Sequence, residues 1–153
     1  IKVYYEDTDA GGVVYYANYL KFLERARTEA LFTIGFNNKK IKEDYGALIV
    51  VKSCNIEYKK PSYLEDELKI RSFVKSITKT SFFMSQFISR DDELIVEAKV
   101  HLVFVDKNGN SWEWEETAET VKAVQELVNF AGNYPGPLYA PHPDLKNENA
   151  SNT

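Results

Sequence analysis

At 153 residues the chain suits one domain and can bury roughly 70% of the surface its unfolded form exposes. Its residues are 44% hydrophobic and 14% aromatic, enough for a packed core, while a net charge of −4 without a dense basic run argues against nucleic acid as a partner. No segment approaches the roughly 20 apolar residues of a membrane span, and the single cysteine, Cys54, cannot form an internal disulfide, which points to a reducing, cytoplasmic setting.

The chain opens on Ile1 rather than Met, which leaves a start further upstream open. Residues 2–6 read as a first strand, and Asp9 to Gly12 as turn chemistry. From Tyr16 to Ile34 the pattern turns helical: Leu20, Leu23, Arg27, Leu31 and Ile34 form one stripe, with Phe22, Ala26, Ala30 and Thr33 beside it. Gly35 is placed as the stop, and residues 37–43 read as a polar connection. Ala47 to Lys60 is β-rich and ends at Pro61. Leu68-Lys69-Ile70-Arg71 alternates, with Val74 continuing its apolar face, and Ser81 to Ser89 supplies another strand. The clearest alternation sets Leu94, Val96, Ala98, Val100, Leu102 and Phe104 against Glu97, Lys99 and His101. Asn108-Gly109 marks a tight turn into residues 112–115. A second helix fits Thr120 to Phe130. The predicted class is α+β, an antiparallel sheet with the long helix on one face. That domain covers residues 1–131; residues 132–153, rich in Pro and Asn, read as an extended or disordered tail.

The chemistry concentrates where the first strand, a glycine turn bearing two carboxylates and a helix start follow one another. That order can set a carboxylate beside the free N–H groups of a helix N-terminus. A carbonyl held between the two is attacked on carbon while its oxygen is stabilised. Asp7 reads as structural, hydrogen-bonding turn amides. Glu24 reads as half of an ion pair with Arg27, and Cys54 as a buried small apolar group. Two histidines and one cysteine, widely spaced, make no metal-ligand set.

The string Tyr4-Tyr5-Glu6-Asp7-Thr8-Asp9-Ala10-Gly11-Gly12-Val13-Val14-Tyr15-Tyr16-Ala17-Asn18-Tyr19, followed by Glu24-Arg25-Ala26-Arg27, closely resembles the 4-hydroxybenzoyl-CoA thioesterase and YbgC group of the hotdog-fold superfamily. The resemblance is densest over residues 3–31 and continues as strand pattern to about residue 105. It implies a hotdog, a sheet wrapped around one long central helix, and dimers whose sheets join, as a homodimer or homotetramer. It implies hydrolysis of acyl-CoA without a cofactor. Asp9 matches the family's catalytic aspartate, acting as nucleophile through an acyl-enzyme anhydride or as base on water; both routes stay open. Tyr16 matches the position whose backbone N–H polarises the thioester oxygen. Gly12 either allows close backbone approach to the substrate or is a plain loop glycine.

One departure stands at Tyr16 itself, where many YbgC-type members carry His. The missing imidazole leaves more of the chemistry to Asp9. Of the basic cluster that holds the nucleotide end in the hydroxybenzoyl branch only Lys79 is matched, with Lys59, Lys60 and Lys75 as possible helpers. That thin clamp leaves room for acyl carrier protein as the acyl donor. Tyr15, Tyr19 and Phe82 are candidate walls of the acyl pocket. Two rival readings keep the fold. An enoyl-thioester hydratase would need the absent histidine, and a non-catalytic module would bind carrier protein or the Tol–Pal system.

Overall fold

The structure, a computed structural model, describes residues 1–33, 35 and 37–132, with backbone alone for 128–132. Three helices and four strands make up its regular elements: α1 (Asn18–Thr33), α2 (Asn38–Tyr45), β1 (Leu48–Tyr58), β2 (Lys69–Ile77), β3 (Ser81–Arg90), β4 (Glu93–Val105) and α3 (Ala118–Gly132). The strands form one antiparallel sheet in the order β1-β4-β3-β2.

The register explains which side chains face inward. Ala98 of β4 lies opposite Gln86 of β3 and Ile56 of β1, and Val100 lies opposite Met84. On that face Phe82, Met84, Ile88, Val96, Ala98, Val100, Leu102 and Phe104 join Tyr19, Phe22, Leu23 and Leu31 of α1 and Leu127 of α3 in one buried cluster. Burying each such Leu, Phe or Met contributes about 1.5–3 kcal/mol, which outweighs the weak propensity of a 16-residue helix standing alone. β3 and β4 connect through a tight turn in which Asp91 takes a left-handed conformation, φ 52°.

A polar seam crosses this apolar interface. Gln86, fully buried, donates from Nε2 to the Leu23 carbonyl at 2.9 Å and to the Ser72 hydroxyl at 2.8 Å. Its Oε1 accepts from Arg27 Nη1 at 3.0 Å. This seam fixes where along the sheet α1 sits. It also redirects Arg27, which turns inward instead of pairing with Glu24; the Glu24 carboxylate accepts the Thr28 hydroxyl at 3.0 Å.

Four expectations are corrected. Residues 2–6 are not a strand: Lys2 makes one bridge to Glu67, and Tyr5–Asp7 closes a 3-10 turn because the Asp7 carboxylate accepts the Tyr4 N–H at 3.0 Å. The polar connection at 37–43 is largely helix α2. Asn37 caps it by accepting the Lys40 N–H at 2.8 Å, and Gly46 ends it in the left-handed region. Cys54 is exposed, since β1 is an edge strand of the sheet and neither face of it is fully covered. The long helix starts at Asn18 rather than Tyr16, and the predicted Ile34 lies outside the described residues. The tail falls almost wholly outside them too; Gly132 closes α3, whose start is capped reciprocally by Thr117 and Thr120.

Candidate active site

Residues 8–14 form a very small hairpin. Thr8 bridges Val14, the Asp9 N–H donates to the Val13 carbonyl at 2.9 Å, and the Tyr15 N–H donates to the Asp7 carbonyl at 3.0 Å. Asp9 sits at the tip with its side chain exposed. Oδ1 accepts the Gly11 N–H at 2.8 Å, fixing the carboxylate's orientation; Oδ2 has no partner among the described residues. Gly12 follows at φ 81°, a conformation that costs an L-residue about 1–2 kcal/mol and Gly nothing. The turn therefore needs a glycine there.

Past the hairpin three residues, Tyr15 to Ala17, lead into α1. The N–H groups of Asn18, Tyr19 and Leu20 bond back to the carbonyls of Tyr15, Tyr16 and Ala17. The Tyr16 amide finds no acceptor among the described residues. It stands at the positive end of the α1 dipole, so the helix offers a donor to an incoming oxygen. Asp7 is the joint between hairpin and helix, its carbonyl accepting the Asn18 side-chain amide at 2.9 Å as well as the Tyr15 N–H.

This unit rests on a segment distant in sequence. The Val14 N–H donates to the Ser62 carbonyl at 2.8 Å, Val13 bridges Tyr63, and the Tyr19 hydroxyl is hydrogen-bonded to the Ser62 hydroxyl. That segment is held to the sheet by Arg90, which donates to the Pro61 carbonyl at 3.1 Å and to Asp66 at 2.8 Å and also pairs with Glu93. Ser62, Tyr63 and Arg90 escaped the sequence reading because only tertiary pairing brings them to the turn.

The candidate pocket residues divide. Tyr15 and Tyr16 are exposed, their ring centroids 4.9 Å apart, and Tyr16 meets Tyr58 edge-on at 6.1 Å. A hydrogen bond to Tyr16 raises the Tyr15 phenol above its ordinary pKa, and desolvation raises that of Tyr58. Tyr19 is buried, which raises its pKa, and Phe82 is buried against Phe104 with centroids 5.5 Å apart; both belong to the core behind the exposed tyrosines. Lys79 lies at the β2–β3 connection, over Trp114 and 4.0 Å from Glu116. The turn pairs with residues 62–63 beyond the opposite end of the sheet. A nine-residue strand spans about 30 Å, so one chain does not bring Lys79 to Asp9. Lys60 is committed to Glu93 at 2.6 Å and Lys59 to Glu57 at 2.7 Å. Among the described residues no group of three or more His, Cys, Asp or Glu is placed to hold a metal ion.

The chain as a whole is similar to known proteins. A family model described as the thioesterase-like superfamily matches residues 3–129. The chain is 40% identical over 106 residues to the acyl-CoA thioesterase YbgC of Haemophilus influenzae, covering 69% of this chain and 78% of that protein. Among solved structures it is similar to a probable thioesterase from Bartonella henselae, with a TM-score of 0.71, 32% identity and coverage of 75% of this chain and 95% of the other. The DHNA-CoA thioesterase of Staphylococcus aureus, at 21% identity, shares the fold with a TM-score of 0.76 over 90% of this chain and 93% of its own.

Proposed function

This chain belongs to the thioesterase-like superfamily and is a thioester hydrolase with the hotdog fold, and from that premise we propose that it hydrolyses acyl-CoA to the free acid and coenzyme A. Water adds across the acyl C–S bond: hydroxyl goes to the acyl carbon and the proton to the departing sulfur. The thioester oxygen sits on the Tyr16 amide, where the charge it gains in the transition state meets the α1 dipole. Asp9 acts on the carbonyl carbon from the hairpin tip. With Oδ1 held by Gly11, Oδ2 is the oxygen available to attack the carbon or to take a proton from water. The observation that carries this reading is the conjunction, within one short stretch, of an oriented carboxylate and an unbonded amide at a helix start.

The exposed tyrosines around Tyr16 give the acyl chain an apolar approach. Two copies join through β1, whose outer edge pairs with no described strand and which exposes Val50 and Val51. The second copy supplies the nucleotide contacts that Lys79 cannot make within its own chain. The enzyme works in a reducing cytoplasm, consistent with a free thiol at Cys54; among the described residues no helix is long and apolar enough to cross a membrane.

The test is thiol release from a panel of acyl-CoAs, aliphatic and aromatic, with solution mass measured alongside. Asp9→Asn is expected to lose about a hundredfold or more, within the ~10²–10⁴-fold range of acid–base catalysis, while remaining a dimer of the 17.6 kDa chain. Activity indifferent to Asp9 would sink the mechanism. Release from acyl carrier protein but from no CoA ester would replace the donor and leave the chemistry standing.

A further inference from the structure

The two outer helices stand on the two edge strands of the sheet, α2 against β1 and α3 against β2. Between them, over the end of the sheet where β2 and β4 meet the two helices, lies a cavity in two parts that share Ile41, Tyr45 and Ala123 as walls. The inner part, about 40 Å³, is an apolar recess floored by Ile77, Phe104, Trp112 and Val124. Its polar wall groups are already engaged. The Thr120 hydroxyl donates to the Glu115 and Thr117 carbonyls. Burial, and then a hydrogen bond to the Glu119 carboxylate, raise the Tyr45 phenol above its ordinary pKa. A recess lined this way has little to offer water, and its walls forgo dispersion contacts while it stays empty.

The outer part is larger, about 260 Å³, and charged at its rim. Glu119, Lys122, Ala123 and Glu126 follow helical spacing, so α3 turns a mixed stripe to this cleft beside the apolar stripe of Thr120, Val124 and the buried Leu127. Lys40 lines the cleft from α2. The two lysines flank the throat, since Lys40 adjoins Ile41 and Lys122 adjoins Ala123. Both are exposed, and among the described residues neither ammonium has an ion-pair partner. Of the two carboxylates on the rim, Glu119 is taken by Tyr45 and Glu126 stands one helical turn beyond Lys122.

We propose that this cavity is a second ligand site, which takes a medium-chain aliphatic carboxylate: the chain enters the recess and the anion stays between Lys40 and Lys122 at its mouth. An apolar throat with two uncommitted cations beside it fits that amphipathic shape. Size sets the chain length, because about 260 Å³ lies just below the ~300–1,000 Å³ of ordinary small-molecule sites. The ligand is a separate molecule from one bound at Asp9. β2 spans about 30 Å between the end beside the turn and Ile77 at this recess. The site therefore stands whether or not the turn hydrolyses thioesters.

Trp112 and Trp114 are the chain's only tryptophans and both line the recess, so their emission reports its occupancy. The probe is 10-bromodecanoate, whose terminal bromine quenches indole on contact, titrated into the full chain below its micellar concentration. Saturable quenching is expected. Lys40→Gln with Lys122→Gln should raise the half-saturating concentration about 10-fold, and 10-bromodecanol should show the same weakening in the unaltered chain. Ala123→Leu, which narrows the throat, should abolish quenching; the exposed lysine pair keeps the test decisive should that variant fail to fold. Asp9→Asn should leave the titration unchanged. Absence of saturable quenching overturns the proposal, the recess then being filled by protein, whether this chain or a second copy. Quenching by the alcohol as tight as by the acid, and indifferent to both lysines, overturns the carboxylate. Quenching that weakens in Asp9→Asn overturns the separate site and moves the ligand to the turn.

Discussion

Gln86→Leu isolates the polar seam beneath α1. Leucine fills nearly the same space, so the loss is of hydrogen bonds rather than volume. The bond to Arg27 is charge-assisted, and such bonds contribute about 1.5–3 kcal/mol; the lower end applies, because Arg27 is only half-buried. Its guanidinium pKa is already lowered by burial, so it is poorly placed to lose an acceptor. The Ser72 hydroxyl, 9% exposed, and the second acceptance at the Leu23 carbonyl add about 1 kcal/mol each. Leucine's greater apolarity returns roughly 0.5–1 kcal/mol. The net is a destabilisation of about 3 kcal/mol, or a Tm lower by ~6–12 °C at the 2–4 °C per kcal/mol typical of a chain this long. Urea and thermal unfolding followed by circular dichroism measure it. Adding Arg27→Leu removes the stranded cation, so the double variant should lose about 1–2 kcal/mol less than the two single losses summed. Strict additivity, or a Gln86→Leu chain within ~1 kcal/mol of the parent, would refute the claim that this amide fixes the helix.

The two glycines of the turn should separate stability from activity. A Cβ on Gly12 meets nothing within 4 Å, so Gly12→Ala pays only for its φ of 81°, about 1–2 kcal/mol seen as a lower Tm. A Cβ on Gly11 lies 3.2 Å from Asp9 Oδ1, so Gly11→Ala should leave Tm nearly unchanged and reduce thiol release; equal activity in the two variants would contradict this. At Glu93, hydrogen bonds from Lys60 and then Arg90 hold the carboxyl below its ordinary pKa. A depressed pKa stabilises the fold above the unfolded value of about 4.3 and loses that contribution as pH falls through and below it. The Tm gap between the parent and Glu93→Gln at pH 7 should therefore narrow as pH falls below the unfolded value and close once it passes the depressed folded one, and a gap that persists through acid titration would assign the loss to something other than charge.

Much of the fold is legible where hydrophobic periodicity is strong. β3 and β4 lie within a residue of the spans read from alternation, since both carry a continuous buried row. α2 was missed because Ile41 is its only buried residue; the usable signals were a capping Asn37 and a terminating Gly46, not a stripe. Cys54 was misjudged because alternation marks which side of a strand a residue occupies, not whether the strand is an edge. Gln86 sat unremarked within an apolar row. Its significance comes from Leu23 and Arg27, about sixty residues earlier, which no local window contains.

The candidate site divides along the same line. Asp9, Gly12 and Tyr16 are contiguous enough that turn chemistry and a helix start suffice to assemble them, which is why a short string carries the reading. Their position relative to the sheet is set elsewhere. The hairpin hangs from Ser62 and Tyr63, and α1 begins against Ser62 through Tyr19. Residues 61–66 are themselves held by Arg90. Carboxylate and amide are thus referred to a common anchor, Ser62, by two independent routes, one through the Val14 N–H and one through the Tyr19 hydroxyl. A carbonyl bound between them needs both ends fixed to a few tenths of an ångström. A turn of exposed residues closed around two glycines cannot supply that rigidity alone, and the shared anchor does.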